Sequence, residues 1–361
     1  MPHHLYHIIA FSISALVVLW STPVVREIGL KSGRVDRPGG RKVHDRPMVR
    51  LGGVSIFAGT FLALLVVWFS GGFINSTGLP LGPDEEFEIW GVTLGGLAFF
   101  MIGLADDLFS LSPVTRLLLQ VTVAGLAWGV GVQIDFLTIP GLGLVQLNAL
   151  DILGIPVTLP ITVIWLVGMA NAINWIDGLD GLAAGVSGIA AVVMLIVSLF
   201  MNQPAAALIA AALAGGALGF LRYNFNPAQI FMGDGGAYFM GFTLAGVGVI
   251  GLVKTTAVTA VTSVLLPYLI LAVPILDMSA VILERLRHGQ SPFIADKRHL
   301  HHRLLEAGLS QRLAVFFIYS LTLWVGSLAL AVSGIPSGVV YAGGATGLLG
   351  YTSWKVWREA K

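Results

Sequence analysis

The sequence predicts an all-α fold, a polytopic integral membrane helix bundle that forms one domain over residues 1–361. Hydrophobic residues make up 56% of the chain and charged residues only 11%, and the mean hydropathy is +0.87. Soluble globular domains carry about 25% charged residues. Apolar stretches of about 17 to 25 residues, the length that crosses a bilayer, recur along the chain. No soluble domain is therefore expected.

The lengths of these stretches indicate about ten to eleven transmembrane helices. The first, in "MPHHLYHIIAFSISALVVLW", lacks a basic n-region and a small-residue cleavage site, so it is interpreted as a retained span. The lower count applies if the region around 133–157 or the C-terminus behaves differently. Spans are predicted at 5–25, 51–70, 88–105, 114–133, 157–172, 179–201, 204–221, 231–252, 257–283, 313–333 and 337–354.

Composition also excludes several classes of function. The absence of cysteine removes disulfide frameworks, thiolate metal sites and a cysteine nucleophile. A net charge of +1 gives no basis for binding nucleic acid, and no nucleic-acid partner is expected. The GxxxxGK[ST] loop of nucleotide triphosphatases is missing, which argues against ordinary ATP hydrolysis.

The basic residues predict the orientation in the lipid bilayer, because Lys and Arg in short loops stay on the cytoplasmic face. Successive loops lie on opposite sides of the membrane, and the first loop is placed on the cytoplasmic side. The same side then contains Arg116, Arg222, the 285–312 loop and the tail "WKVWREAK", and only Lys254 falls on the external side. We expect a multi-pass membrane protein with an external N-terminus and a cytoplasmic C-terminus. The first loop contains Arg26, Lys31, Arg34, Arg37, Arg41, Lys42, Arg46 and Arg50.

Four polar clusters, far apart in sequence, fall at the cytoplasmic boundary in this topology. Carboxylates and amides near lipid are costly to bury and normally face a bundle interior or a wet cavity. The sequence therefore predicts one active site at the cytoplasmic face, with helix capping as the alternative. The clusters are "GLADDLFSLSP" (103–113), "NAINWIDGLDG" (171–181), "NFNPAQIFMGDGGA" (224–237) and "SPFIADKRHLHHRLLEAG" (291–308).

The first two clusters differ in how well capping explains them. Asp106 and Asp107 are adjacent, so on a helix they diverge by about 100°, and a cap before "SP" would account for Asp107 or Ser112 alone. In "NAINWIDGLDG" polar residues recur every third position along one helical face, whereas capping needs only one of them.

The other two clusters combine an acid with glycines and with basic residues. Asp234 precedes two glycines at the start of a predicted span, where backbone amides can face an anion beside a carboxylate-held cation. "DKRHLHHR" favours anion binding by Lys297, Arg298 and imidazoles over a metal site, and a patch for anionic lipid is the alternative. Hard oxygen ligands beside basic groups indicate a Mg²⁺-assisted phosphate reaction.

The ordered motifs "RKVHDRPMVRLGG", "ADD", "NAINWIDGLDGL", "FNPAQIFMGDGGA" and "SPFIADKRHLHHRL" resemble the polyprenyl-phosphate N-acetylhexosamine-1-phosphate transferase family (glycosyltransferase family 4). The resemblance extends from about Asp36 to Gly308. It implies a location in the bacterial inner membrane. Its opening and "HLHHRL" ending are similar to the branch that transfers N-acetylglucosamine 1-phosphate from UDP-GlcNAc to undecaprenyl phosphate and releases UMP. Another UDP-N-acetylhexosamine or UDP-MurNAc-pentapeptide is the alternative donor.

The resemblance also implies roles for individual residues. Asp234 and Asn174 match the Mg²⁺-binding acid and its assisting amide. Mn²⁺ is the alternative metal. A homodimer is the alternative to a monomer. Asp106 and Asp107 match the essential acid pair, as a general base or a covalent nucleophile, and Asp177 and Asp180 match acids lining the nucleotide and metal pocket. Substrate contacts are implied for Lys42, His44, Arg116, Asn171, Phe231, Lys297, His299, His301 and His302.

A general base is favoured over a covalent aspartyl-phosphate, because a phosphate monoester with a second pKa of about 6 is already nucleophilic near neutral pH. A membrane transporter is the remote alternative. It predicts polar groups near the bilayer midplane and inverted repeats. Here the acids cluster at one face, and no repeat is evident in the sequence.

Overall fold

The computed structural model describes residues 3–33, 35–36, 47–75, 77–139, 143–253, 260–290 and 298–359. Lys42, His44, Lys254 and Lys297 lie outside the described residues, so the predictions for them stay predictions. The helices are α1 His3–Lys31, α2 Gly52–Phe69, α3 Pro83–Phe109, α4 Pro113–Gly129, α5 Thr158–Ile176, α6 Leu182–Phe200, α7 Pro204–Asn224, α8 Gly233–Gly248, α9 Ala260–Ile270, α10 Ala272–Arg287, α11 Leu300–Glu306, α12 Gln311–Val332 and α13 Gly338–Glu359.

The predicted fold class is confirmed, since the described chain is predominantly helical and its strands form only two-stranded pairs. Within the described residues, seven helices are long and apolar enough to cross a membrane: α1, α2, α3, α5, α6, α7 and α12. Helix α8 is shorter, yet 15 of its residues are buried. It packs against α3, α5 and α2, so its apolar surface faces other helices.

The predicted span 257–283 is interrupted in the structure, which has two helices there, α9 and α10, that meet at Leu271. Pro274 explains the break. Proline lacks the N–H that would bond the carbonyl of Ile270, and its ring clashes with that carbonyl. Helix α9 accordingly ends at Ile270, the residue four positions before the proline.

Short antiparallel strands occupy the connection between α4 and α5, where the sequence indicated no regular structure. They are β3 Phe136–Ile139 with β4 Gly143–Gln146, and β5 Asp151–Ile152 with β6 Ile155–Pro156. A third pair, β1 Val35–Asp36 with β2 Met48–Val49, leads into α2. Backbone bonds from Phe231 N–H to Val49 and from Gly52 N–H to Phe231, at 2.9 and 3.0 Å, tie β2 to the segment before α8.

Glycines bring the backbone of α8 close to its neighbours. A Cβ atom at Gly53 of α2 would lie 2.2 Å from the amide nitrogen of Gly236, and one at Gly103 of α3 would lie 2.4 Å from the carbonyl of Asp234. At Gly241 it would lie 2.6 Å from Ala170 of α5. Because only glycine fits these contacts, three helices are held against the N-terminal half of α8.

The helices alternate in direction, so that α2, α6, α8 and α12 begin at the same end of the bundle where α3, α5, α7 and α10 finish. We call this the site end. Contacts across it include Gly181 N–H to Asn224 Oδ1 at 3.1 Å, before α6 and at the end of α7. At the start of α12, Gln311 Oε1 accepts from Asn226 at 2.8 Å.

A matched pair of glycine substitutions tests the contact between α3 and α8. Gly103→Ala places a methyl group in the backbone of Asp234, and overpacking of this kind costs about 1 to 3 kcal/mol. Gly125→Ala, in α4, meets no atom within 4 Å and gains helix propensity of about 1 kcal/mol. We expect thermal unfolding in detergent to show a lower midpoint for the first variant and an equal or higher one for the second. Equal midpoints for both variants would contradict this packing.

Candidate active site

The carboxylate of Asp234 lies at the centre of the site end, in the first turn of α8. Its Oδ1 accepts a hydrogen bond from Asn174 Nδ2 at 3.0 Å and lies 3.4 Å from Arg50 Nη2. Its Oδ2 lies 3.5 Å from Arg116 Nη1. Residues from α5, α4 and the segment before α2 thus converge on one carboxylate, as the prediction of one convergent site required.

Asp106, at the end of α3, approaches the same carboxylate. Arg116 Nη1 donates to Asp106 Oδ2, and the carboxyl groups of Asp106 and Asp234 lie within hydrogen-bonding reach of each other. Arg116 therefore bridges two acids that come from different helices. Such a bridge reduces the repulsion between them.

Asp107 is used differently from Asp106. Its Oδ2 accepts from the backbone N–H of Gly235 at 3.1 Å, while Oδ1 is buried without a hydrogen bond and lies 3.9 Å from Arg50 Nε. Asp107 thus satisfies a first-turn N–H of α8, while Ser112 caps α4 by accepting from Thr115 N–H at 3.1 Å. A buried oxygen without a donor usually signals a functional group or an unseen ion.

The charges of this cluster suit a divalent cation. Arg50 and Arg116 face four carboxylates, those of Asp106, Asp107, Asp177 and Asp234, and two negative charges remain when all are ionised. Among the described residues, no three His, Asp or Glu side chains are grouped closely enough to hold a metal. An ion here would take few protein ligands and keep water or phosphate oxygens, as Mg²⁺ does. The carboxylate of Asp234 and the carbonyl of Asn174 fit such an ion.

The loop after α5 brings two further predicted acids to the site. Burial raises the pKa of Asp177 to about 7, with Asp107 and Asp180 adding to the shift and Arg50 opposing it. Asp180 Oδ2 accepts from Asn226 Nδ2 and from Ala228 N–H, both at 3.0 Å. Asp180 thus fixes the loop before α8, and only Asp177 adds charge near the arginines.

Asn171, predicted to bind substrate, lies about one turn before Asn174. Its Nδ2 donates to Gln120 Oε1 of α4 and to Val167 O, both at 2.8 Å. The amide nitrogen is therefore engaged within the protein, which leaves the carbonyl oxygen for a ligand. The side chain of Phe231 is half-buried, and its predicted contact with the substrate stays a prediction.

The histidine segment packs on the end of α5. His301 is buried, and its Nε2 lies 2.2 Å from where a Cβ of Gly178 would be. Its ring stacks on His299 at 5.6 Å, with an interplanar angle of 8°, and contacts His302 at 4.3 Å. His299 also meets the ring of Trp175 edge to face at 5.8 Å. The predicted site histidines therefore lie beside the loop that contains Asp177.

Sequence reasoning missed several residues that build the site. Arg50 was counted only as an orientation signal, although it contacts both Asp107 and Asp234. The carboxylate of Asp277, on α10, bonds His299. The hydroxyl of Tyr319, from α12, donates to the carbonyl of Gly181. No local pattern marks these residues, because their partners come from distant segments.

The whole arrangement can bind and activate phosphate groups. Guanidinium groups match phosphate oxygens in geometry and charge, and a hard cation held by Asp234 can bridge a diphosphate. Asp107 offers an unsatisfied carboxylate oxygen beside them. Aromatic and imidazole rings at the end of α5 provide a flat, partly apolar surface next to this charged centre.

Known proteins are similar to this chain in sequence. The sequence profile described as glycosyl transferase family 4 matches residues 89–252. A probable undecaprenyl-phosphate N-acetylglucosaminyl 1-phosphate transferase of Bacillus subtilis is 37% identical over 86% of this chain and 81% of its own length. A decaprenyl-phosphate N-acetylglucosaminephosphotransferase of Mycolicibacterium smegmatis is 34% identical over 89% and 80%. An undecaprenyl-phosphate alpha-N-acetylglucosaminyl 1-phosphate transferase of Yersinia pestis is 29% identical over 100% and 93%.

The burial of His301 predicts a pH dependence of stability. Burial, with His302 and His299 adding to it, lowers the pKa of His301 from 6.5 to about 3. Below pH 6.5 the unfolded chain therefore takes up a proton that the folded chain does not, and the free energy of unfolding falls by about 1 kcal/mol between pH 7.5 and 5.5. Thermal midpoints across this range should show a weaker pH dependence in His301→Gln than in the parent chain. His288→Gln, an exposed histidine, is the control and should keep the parent's dependence; the reverse pattern would refute the assignment.

Proposed function

This chain belongs to glycosyl transferase family 4, and from that membership we propose that it transfers N-acetylglucosamine 1-phosphate from UDP-GlcNAc to undecaprenyl phosphate or a similar polyprenyl phosphate. The products are UMP and a lipid-linked sugar diphosphate, the first intermediate of a cell-surface glycan. The observation that carries the proposal is the convergence of Asp106, Asp107, Asn174 and Asp234 on Arg50 and Arg116 at one end of the bundle.

In the proposed reaction, a phosphate oxygen of the polyprenyl phosphate attacks the β-phosphorus of the UDP-sugar. The bond between that phosphorus and the bridging oxygen breaks, and UMP leaves with the oxygen. Arg50 and Arg116 hold the phosphates through charge-assisted hydrogen bonds. Of the acid pair, Asp107 has the unsatisfied buried oxygen, which suits it to orient the lipid phosphate or to accept its remaining proton.

The proposal includes a bound Mg²⁺, held by Asp234 and Asn174. When bound, the ion would neutralise charge on the diphosphate and favour the departure of UMP. The excess of carboxylates over guanidinium groups and the buried oxygen of Asp107 support this choice. Mn²⁺, which also accepts oxygen ligands, is expected to substitute.

We propose that the site end faces the cytoplasm, where both a nucleotide sugar and the inner-leaflet lipid phosphate are within reach. Every described Lys and Arg lies toward the site end, including Arg222 at the end of α7 and Arg358 at the end of α13. Acidic residues such as Asp84, Glu85 and Glu86 begin α3 at the other end. The positive-inside rule supports this orientation.

The activity test uses purified protein with undecaprenyl phosphate, Mg²⁺ and labelled UDP-GlcNAc, and parallel reactions with UDP-GalNAc and UDP-MurNAc-pentapeptide. We expect equal amounts of UMP and labelled lipid from UDP-GlcNAc, and loss of both when a chelator is added. Transfer from another donor alone would keep the chemistry and correct the sugar. No transfer from any donor would overturn the proposed function.

Two isosteric substitutions on α3 test whether transfer depends on the site end of this helix and not on its opposite end. Asp106→Asn removes a charge that pairs with Arg116, and we expect the transfer rate to fall by about a hundredfold or more. Asp84→Asn, at the exposed opposite end of the same helix, should leave the rate unchanged. Size-exclusion chromatography in detergent verifies that both variants are folded. A folded Asp106→Asn variant with the parent's rate would remove Asp106 from the machinery.

A further inference from the structure

Asp277 of α10 is buried and uses both of its carboxylate oxygens on the histidine segment. Oδ2 lies 2.8 Å from His299 Nδ1, and Oδ1 accepts the backbone N–H of Leu300 at 2.7 Å. Only 7% of the Asp277 side chain and 8% of the His299 side chain are exposed. The second bond satisfies the first backbone donor of α11, so one side chain fixes both the start of that helix and the ring before it.

The first bond decides which ring nitrogen of His299 carries the proton. A carboxylate accepts but cannot donate when ionised, so Nδ1 must be the protonated atom of the neutral ring. Nε2 then offers a lone pair, which makes it an acceptor of hydrogen bonds. An aspartate that orients a histidine in this way is a recurrent arrangement at catalytic and binding sites.

The neighbours of His299 place this ring beside the reaction centre. Trp175 meets the His299 ring edge to face and directly follows Asn174 in α5. The guanidinium of Arg285 lies 5.2 Å from the centre of the Trp175 ring. His301, stacked on His299, packs against Gly178 next to Asp177. The ring of His299 thus contacts Trp175 and His301, which adjoin residues of the predicted pocket.

We propose that Asp277 is a positioning residue for the donor sugar: it fixes His299 in the tautomer whose Nε2 accepts a hydrogen bond from a hydroxyl or amide N–H of the nucleotide sugar. The inference rests on the proposed function for the identity of that substrate. A purely structural role, the capping of α11, is the competing explanation. The two explanations predict different effects of an isosteric change.

Asp277→Asn separates them, because its carbonyl oxygen can still accept the Leu300 N–H while its amide donates to Nδ1. His299 would then carry its proton on Nε2 and lose the acceptor. We expect ¹⁵N NMR of histidine-labelled protein to show the exchanged tautomer. We also expect the KM for UDP-GlcNAc to rise about tenfold or more with a much smaller change in kcat, as loss of one substrate hydrogen bond predicts.

Two controls make the test specific. Glu284→Gln, on the same helix, breaks an exposed pair with His288 and should leave the KM unchanged. In a His299→Ala background, Asp277→Asn should raise the KM no further, because Asp277 acts through that ring. An additive effect in this cycle, or an unchanged tautomer and KM in Asp277→Asn, would overturn the proposal.

Two further outcomes are decisive. If both Asp277→Asn and Asp277→Glu fail to fold, the residue is a structural cap and the proposal is wrong. If the parent chain releases no UMP from UDP-GlcNAc, the proposed function fails, whereas the tautomer of His299 in Asp277→Asn still tests how Asp277 acts on the ring. Failure of the function and failure of the positioning role are therefore distinguishable.

Discussion

The rest of the site depends on the carboxylate of Asp234, which is held in the first turn of α8. Asn174, Arg50 and Arg116 reach it from three other segments, and Gly103 lets the backbone of α3 approach to bring Asp106 beside it. An acid in such a position is costly unless cations and amides surround it. The bundle supplies these groups, and the same groups suit phosphates and a divalent cation.

The packing of helix α8 fixes the position of its first turn, which contains Asp234. The helix continues through a π-helical turn to Val253, it is buried along almost its whole length, and its glycines admit α2, α3 and α5. Its first turn therefore has a fixed position relative to the ends of these helices. A site built on rigid helix ends keeps its groups aligned better than one built on loops.

Much of this arrangement could be predicted from the sequence. Apolar stretches indicated the helices, and the side of each loop predicted that Asp106, Asp107, Asn174, Asp177 and Asp234 would lie at one end. Pattern alone did not reveal that Pro274 separates α9 from α10, because proline also lies inside helices of this chain, at Pro23 in α1 and Pro267 in α9. It also missed the partners of Arg50 and Asp277, which depend on contacts between segments far apart in the chain. Local periodicity contains no information about such contacts.

We propose that the residues around Asp234 bind both the diphosphate of a nucleotide sugar and a divalent cation. The most direct test is an experimental structure with UDP-GlcNAc and Mn²⁺, in which anomalous scattering locates the metal. We expect one strong anomalous peak beside the carboxylate of Asp234, in contact with the diphosphate and near Arg50 and Arg116. A nucleotide or a metal peak bound away from Asp234, among other helices or at the opposite end, would contradict it.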